Sequence, residues 1–105
     1  MHMGGMAIIA NSEAYNLIHI VLNNGAHDSV GGQPTVGLSI DIAQVASAMG
    51  YKHTYTAKDK VELTKILSNI HSLNGPILIN VLVCKGNRSD LGRPTTTPIQ
   101  NKQAF

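Results

Sequence analysis

The sequence predicts an α/β fold, namely a three-layer sandwich around a parallel sheet. Three runs of aliphatic, aromatic or β-branched residues indicate strands, near positions 17–23, 51–56 and 77–84. Segments with helical character precede and separate these runs, at about 1–11, 39–49 and 58–72. Because helices that alternate with strands are typical of parallel sheets, we expect the three strands to lie parallel in one sheet.

The first and last strands have different surroundings in this prediction. The run at 77–84 is almost continuously apolar, which is typical of a strand buried on both faces. The run at 17–23 stops abruptly at two amides and a glycine, and open α/β sheets bind ligands at such carboxyl ends. Asn24-Gly25 is also the strongest signal for a two-residue hairpin turn. Residues 28–34 are typical of a loop rather than a second strand, so we favour a functional loop.

The two clearer helices carry end signals as well as an apolar face. In 39–49 the apolar residues have the spacing i, i+3, i+4 and i+7, at Ile42, Val45, Ala46 and Met49. Ser39 is a candidate N-cap for this helix and Gly50 a candidate stop. The second helix, 58–72, is followed by Asn-Gly-Pro, which ends it.

The two ends of the chain give weaker signals. The segment 1–11 contains two adjacent glycines, so a helix there would need packing to be stable. Prolines, threonines and polar residues predict that 86–105 forms an extended tail.

The composition is typical of one small domain, much of whose surface contacts other protein. The chain has 105 residues, of which 43% are apolar and only 13% charged, against about 25% charged in ordinary domains. The formal net charge of +2 is too small to argue for nucleic acid or a membrane surface as a partner. The single cysteine, Cys84, is expected to be a small buried core residue. Because one cysteine cannot form a disulfide within the chain, it fits a reducing cytoplasm.

The loop after the first strand offers oxygen ligands. Asn24 has a neutral side-chain oxygen, and a bend at Gly25 can turn the carbonyl of Ala26 toward the same point. Two hard oxygen ligands completed by waters and phosphates suit Mg²⁺, which rarely has a cage made entirely of protein.

At this loop the sequence resembles the thiamine diphosphate-dependent decarboxylases. Leu-Asn-Asn-Gly at 22–25 is similar to the closing half of their cofactor motif, which begins Gly-Asp-Gly and ends Asn-Asn. The longer string 22–35, with Gly-Gly-Gln-Pro-Thr, resembles the phosphonopyruvate decarboxylases in particular, and the sulfopyruvate decarboxylases next. Residues 85–95 also resemble the end of the former group, so the resemblance covers nearly the whole chain.

The resemblance implies a site and its cofactors. It implies a partial thiamine diphosphate-binding fold, with Mg²⁺ held by the Asn24 side chain and the Ala26 backbone oxygen. Cofactor contacts are expected from this loop, namely Asn24, Gly25, Ala26 and His27. His27 is also the candidate catalytic residue through contact with substrate or cofactor, with a polar loop residue as the alternative.

One half of the motif is missing from the chain. The Gly-Asp-Gly half, whose aspartate is the charged metal ligand of the family, would lie upstream of Met1. Glu13 is the only acid before the loop, and its position does not match. We therefore expect residues 1–105 to be a single partial domain, the C-terminal half of a thiamine diphosphate-binding domain. It would work with an amino-terminal pyrimidine-binding domain or subunit, and its open sheet edge predicts a homo-oligomer.

Two classes of function follow from the sequence. The first is decarboxylation of phosphonopyruvate to phosphonoacetaldehyde and carbon dioxide, or of sulfopyruvate or another 2-oxo acid. The second is a non-catalytic association module that binds no cofactor. Lys85, Arg88 and Arg93 could hold a phosphonate, but we favour the simpler explanation that they are solvated tail charges.

Overall fold

The computed structural model describes residues 3–92 and 95–105. The helices and strands follow in chain order as α1 (Gly4–Asn11), β1 (Ile18–Asn23), β2 (Ala26–His27), β3 (Gln33–Pro34), α2 (Ile42–Met49), β4 (His53–Ala57), α3 (Lys60–Asn69), β5 (Ile77–Leu82) and α4 (Pro98–Ala104). Short 3₁₀ turns occur at Asp28–Val30, Val36–Leu38 and Ile70–Ser72.

The main sheet confirms the predicted α/β fold. Its order is β1-β5-β4, and β5 pairs in parallel with both neighbours. The run predicted at 51–56 begins as a strand only at His53, because the Tyr51 N–H donates to the Ala46 carbonyl and so belongs to the end of α2. All three carboxyl ends therefore meet at one edge, which is where a ligand site is expected.

Helices cover the sheet on both faces and make three layers. Ile77, Ile79 and Val81 of β5 pack toward α3 and its 3₁₀ extension. Leu78, on the opposite face, packs with Ala46 and Tyr51 beneath α1 and α2. β5 is thus buried on both faces, as its continuous apolar run predicts.

Helix α1 forms despite its two glycines. Met6, Ile9 and Ala10 pack against the cluster that contains α2 and Leu78. Because its first turn has no side-chain cap and contains two glycines, packing rather than local propensity stabilises this helix.

The cap of α2 differs from the prediction. Asp41, not Ser39, is the N-cap, and its Oδ1 accepts a hydrogen bond from the Gln44 N–H at 3.0 Å. A separate 3₁₀ turn at Val36–Leu38, capped by Thr35, precedes it. A carboxylate three residues before the helical N–H is an effective N-cap, which explains the later start. Gly50 ends the helix in the left-handed conformation, as predicted.

The tail is not extended throughout, so that prediction is wrong for its last part. Thr97 starts α4 with a reciprocal pair of hydrogen bonds: its Oγ1 accepts from the Gln100 N–H, and Gln100 Oε1 accepts from the Thr97 N–H. Pro98 occupies the first turn, where its missing N–H costs nothing. The prolines and threonines that suggested an extended tail here form a helix start.

The prediction that Cys84 is buried is also wrong. The last main-chain bond between β5 and β1 runs from the Val83 N–H to the Asn23 carbonyl at 3.1 Å. Beyond it the chain leaves the sheet, and Cys84 is exposed. Within the described ranges no helix is long and apolar enough to cross a membrane.

Candidate functional site at the carboxyl edge of the sheet

The Asn24-Gly25 step is the bend by which the chain leaves β1. Gly25 has a φ of 65°, and a Cβ at this position would lie 2.5 Å from Leu38 Cδ1. The loop does contain a small antiparallel ladder, in which β2 pairs with β3. Its turn is the five-residue stretch 28–32, so Asn24-Gly25 is not the hairpin turn.

Asn23 ties the two sides of this loop together. Its side chain is buried; Nδ2 donates to the Gly37 carbonyl at 2.6 Å, and Oδ1 accepts from the Gly25 N–H at 3.1 Å. Sequence reasoning missed this role, although an amide that ends a buried strand is a signal of it. Both ends of the Asn23 amide are used within the loop, so this side chain has a structural function there.

The Asn24 amide is held at both ends. Its Oδ1 accepts from the Ala26 N–H at 3.0 Å, and its Nδ2 donates to Asp28 Oδ2 at 2.9 Å. The first bond is a local side-chain turn of the kind that asparagine favours. An amide oxygen has two lone pairs, so Oδ1 keeps one for a cation.

The pairing of β2 with β3 indicates the side on which the Ala26 carbonyl is expected. The Thr35 N–H donates to the Gly25 carbonyl at 2.8 Å, and Ala26 lies opposite Pro34. Ala26 and Pro34 therefore form a non-hydrogen-bonded pair, in which the N–H and C=O of Ala26 both point away from β3. Because that N–H meets Asn24 Oδ1, we expect the carbonyl on the Asn24 side as well. The residues present thus fit a hard cation with oxygen ligands.

His27 lies directly beside these oxygens. It is half-buried, pairs with Gln33 in the short ladder, and accepts the Gly32 N–H at its carbonyl at 2.9 Å. Its backbone is thus fixed by the loop, and its role toward substrate or cofactor stays a prediction.

Asp28 is the second functional candidate that sequence reasoning missed. Its Oδ2 accepts from Asn24 Nδ2 and, at 2.7 Å, from the Gly86 N–H after β5. The available signal was a lone acid four residues after Asn24. Among residues 3–92 and 95–105, no group of three or more His, Cys, Asp or Glu side chains could hold a metal ion.

An open cleft lies beside the loop at the same edge of the sheet. Its cavity volume is about 510 Å³. Polar side chains line it at the ends of the three strands, including Asn23, Thr56, Lys58 and Asn80. Lys85 and Arg88 do not line it, and Arg88 pairs with Asp90 at 3.1 Å in solvent. Arg93 lies outside the described residues.

Comparison with known proteins shows which family and which enzymes the chain is similar to. Residues 1–81 match the family model described as thiamine pyrophosphate enzyme, C-terminal TPP binding domain. Over all 105 residues the chain is 34% identical to the phosphonopyruvate decarboxylase of Streptomyces viridochromogenes and 35% identical to that of Streptomyces hygroscopicus, covering 26% of each. Over 87 residues, 83% of the chain, it is 31% identical to the sulfopyruvate decarboxylase subunit beta of Methanothermobacter thermautotrophicus and covers 44% of it.

Proposed function

Because the chain belongs to the thiamine pyrophosphate (thiamine diphosphate) enzymes, in their C-terminal TPP-binding domain, we propose that it serves a phosphonopyruvate decarboxylase. The reaction converts phosphonopyruvate to phosphonoacetaldehyde and carbon dioxide. Support comes from the oxygen pair of Asn24 and Ala26, which lies in a chain similar over its whole length to two such enzymes. The chain spans about a quarter of their length, 26% in each case, so the rest of the enzyme is part of the proposal.

The loop after β1 has the role of holding Mg²⁺ and the cofactor's diphosphate. Asn24 Oδ1 and the Ala26 carbonyl are the proposed metal ligands, and Gly25 allows the backbone to approach closely. When bound, thiamine diphosphate supplies the stabilisation of the carbanion that loss of carbon dioxide leaves behind. The protein's own task is to fix the metal and to orient the diphosphate.

His27 is the proposed contact to substrate or to the cofactor. It follows Ala26 directly in the chain and is half-buried, so it belongs to the metal loop and stays accessible to a ligand. An imidazole can donate to or accept from a carboxylate or phosphonate oxygen.

The remaining groups of the site are proposed to come from other protein segments. The charged metal ligand would be the aspartate of a Gly-Asp-Gly segment in the other half of the same domain, and the walls around the cofactor's rings would come from an amino-terminal pyrimidine-binding domain or subunit. The open edge of β1 and its exposed apolar face, formed by Ile18, Ile20 and Leu22, support both this association and a homo-oligomer. The solitary Cys84 supports a cytoplasmic location.

A chimaera tests the proposal directly. This chain would replace the matching quarter of the Streptomyces viridochromogenes relative, and decarboxylation of phosphonopyruvate would be measured with Mg²⁺ and thiamine diphosphate. We expect turnover that Asn24→Ala abolishes and Asn69→Ala leaves unchanged, because Asn69 is an exposed amide on α3 that bonds only its own helix. The 105-residue chain alone should show neither turnover nor micromolar cofactor binding by calorimetry, because two neutral oxygens compete poorly with the hydration of Mg²⁺.

Two results would contradict this assignment. A chimaera that turns over sulfopyruvate but not phosphonopyruvate would favour the sulfopyruvate decarboxylase, the alternative supported by the third relative. A folded chimaera that binds no cofactor would instead favour a non-catalytic association module.

A further inference from the structure

We infer that Asp28 is a positioning residue: its carboxylate holds the Asn24 amide in the orientation that presents Oδ1 beside the Ala26 backbone. The same oxygen fastens the segment after β5 to the loop. This inference rests on the proposed function, because it concerns the ligand that Asn24 offers to the metal.

The two ends of the Asn24 amide meet chemically opposite partners. Asp28 Oδ2 can only accept, and it lies 2.9 Å from Asn24 Nδ2. The Ala26 N–H can only donate, and it lies 3.0 Å from Asn24 Oδ1. If the amide were rotated by half a turn, Asn24 Oδ1 would face the Asp28 carboxylate oxygen, and the Asn24 Nδ2 hydrogens would face the Ala26 N–H. The pair of partners therefore permits one orientation, and that orientation directs the oxygen to the Ala26 side.

The contact with Asp28 also affects the strength of the ligand. A hydrogen bond from an amide to a carboxylate is charge-assisted and stronger than a bond between neutral groups. Such a bond draws the amide hydrogens toward Asp28 and increases the negative charge on the oxygen at the other end. Groups that hold a metal ligand in this way raise metal affinity without touching the metal.

The second bond of Asp28 connects the loop to the central strand. The Gly86 N–H donates to the same Oδ2 at 2.7 Å, across 58 residues of sequence. Gly86 has a φ of 107°, a conformation that favours glycine. Since β5 ends at Leu82, this bond fixes the position of the Asn24 loop relative to the carboxyl end of the most buried strand.

The first experiment observes the contact in the 105-residue chain by nuclear magnetic resonance. The wild-type Asn24 side-chain amide should show one strongly downfield proton and slow exchange with solvent. Asp28→Ala should return both protons to the values of a free amide, and Asp28→Asn should restore part of the shift, because its oxygen can still accept. The matched control is Asp59→Ala, which removes a carboxylate cap from α3 and should leave Asn24 unchanged. Free-amide values in the wild type would overturn the inference.

The second experiment measures what the contact does for a cation. Mn²⁺, which prefers similar oxygen ligands to Mg²⁺, would be titrated into the 105-residue chain to millimolar concentration. At that concentration, paramagnetic broadening of the Asn24 and Ala26 signals reveals even the weak site that two neutral oxygens form. Loss of a hydrogen bond to a charged group predicts that Asp28→Ala weakens this site by about tenfold. Asp28→Asn should stay within about threefold of wild type, since it keeps an acceptor without a charge.

The outcomes separate the inference from the function on which it rests. If Asp28→Asn weakened Mn²⁺ as much as Asp28→Ala, Asp28 would be a metal ligand and its positioning role would be wrong. If Mn²⁺ left Asn24 and Ala26 unbroadened in the wild type, the proposed metal site itself would fail, whatever the amide resonances show. If Asp59→Ala lowered the Mn²⁺ affinity as much as Asp28→Ala, the loss would reflect lower stability of the whole fold, and the inference would be overturned.

Discussion

Two neighbouring strands of the sheet carry similar residues on the same face, yet their surroundings are opposite. In β5, Ile77, Ile79 and Val81 are 1%, 0% and 8% exposed; in β1, their direct partners Ile18, Ile20 and Leu22 are 41%, 50% and 69% exposed. The difference has one cause. α3 and its 3₁₀ extension pack over β4 and β5 on this face, and β1 has no described element above it.

The comparison teaches that apolar character does not by itself indicate the core of this chain. The same three side chains of β1 would be buried if a further helix and strand continued the layers past β1. An exposed apolar stripe beside an unpaired strand edge is typical of a surface that meets other protein. This is the physical basis for proposing that the chain works together with another domain or copy.

The largest expected effect is on stability, and it compares Ile79 of β5 with Ile20, its partner in β1. Ile79→Ala should lower the free energy of unfolding by about 2–5 kcal/mol, because it leaves a cavity beneath α3. Ile20→Ala, at the register partner, should change it by no more than about 0.5 kcal/mol. Urea denaturation of both variants at low protein concentration measures the difference. Equal losses would mean that β1 is covered in solution.

An intermediate effect tests what the exposed face is for. The double change Ile20→Lys and Leu22→Lys should weaken self-association at least about tenfold, since burial of each such side chain contributes about 1.5–3 kcal/mol. Sedimentation equilibrium of the 105-residue chain provides the measurement. Val61→Lys is the control, because Val61 is an exposed apolar residue on α3, away from this face. Association that is equally strong in the double variant would argue against the β1 surface.

The smallest effect concerns the opposite face of β1, which is covered. There the Tyr51 hydroxyl and His19 Nδ1 lie 2.8 Å apart, and burial raises the pKa of Tyr51 above its ordinary value. Tyr51→Phe should cost about 1 kcal/mol near neutral pH. Because the folded-state pKa is the higher one, wild-type stability should decrease as the pH rises above about 10. Thermal unfolding across that range would show a smaller decrease in Tyr51→Phe, and identical pH profiles would contradict the assignment.

Local patterns in the sequence determined the element types. The alternation of helices with apolar runs was sufficient for the parallel sheet, because strand and helix periods differ and only one arrangement covers both faces of β5. The Asn24-Gly25 bend could also be predicted, since few residues other than glycine adopt its backbone conformation. The metal and cofactor roles of Asn24, Ala26 and His27 followed from the resemblance, and they stay predictions.

Tertiary contacts decided what local patterns could not. Cys84 lies in an apolar run but is exposed, because the pairing partner of that run ends at Asn23. Asp28 reaches Gly86 over 58 residues, and no local pattern contains a contact of that separation. The exposure of β1 has the same origin: an apolar strand is buried only where another layer lies over it. The sequence by itself therefore determined the strands of the main sheet and the helices that cover it, whereas only the tertiary structure decided which apolar residues are covered and which polar groups meet.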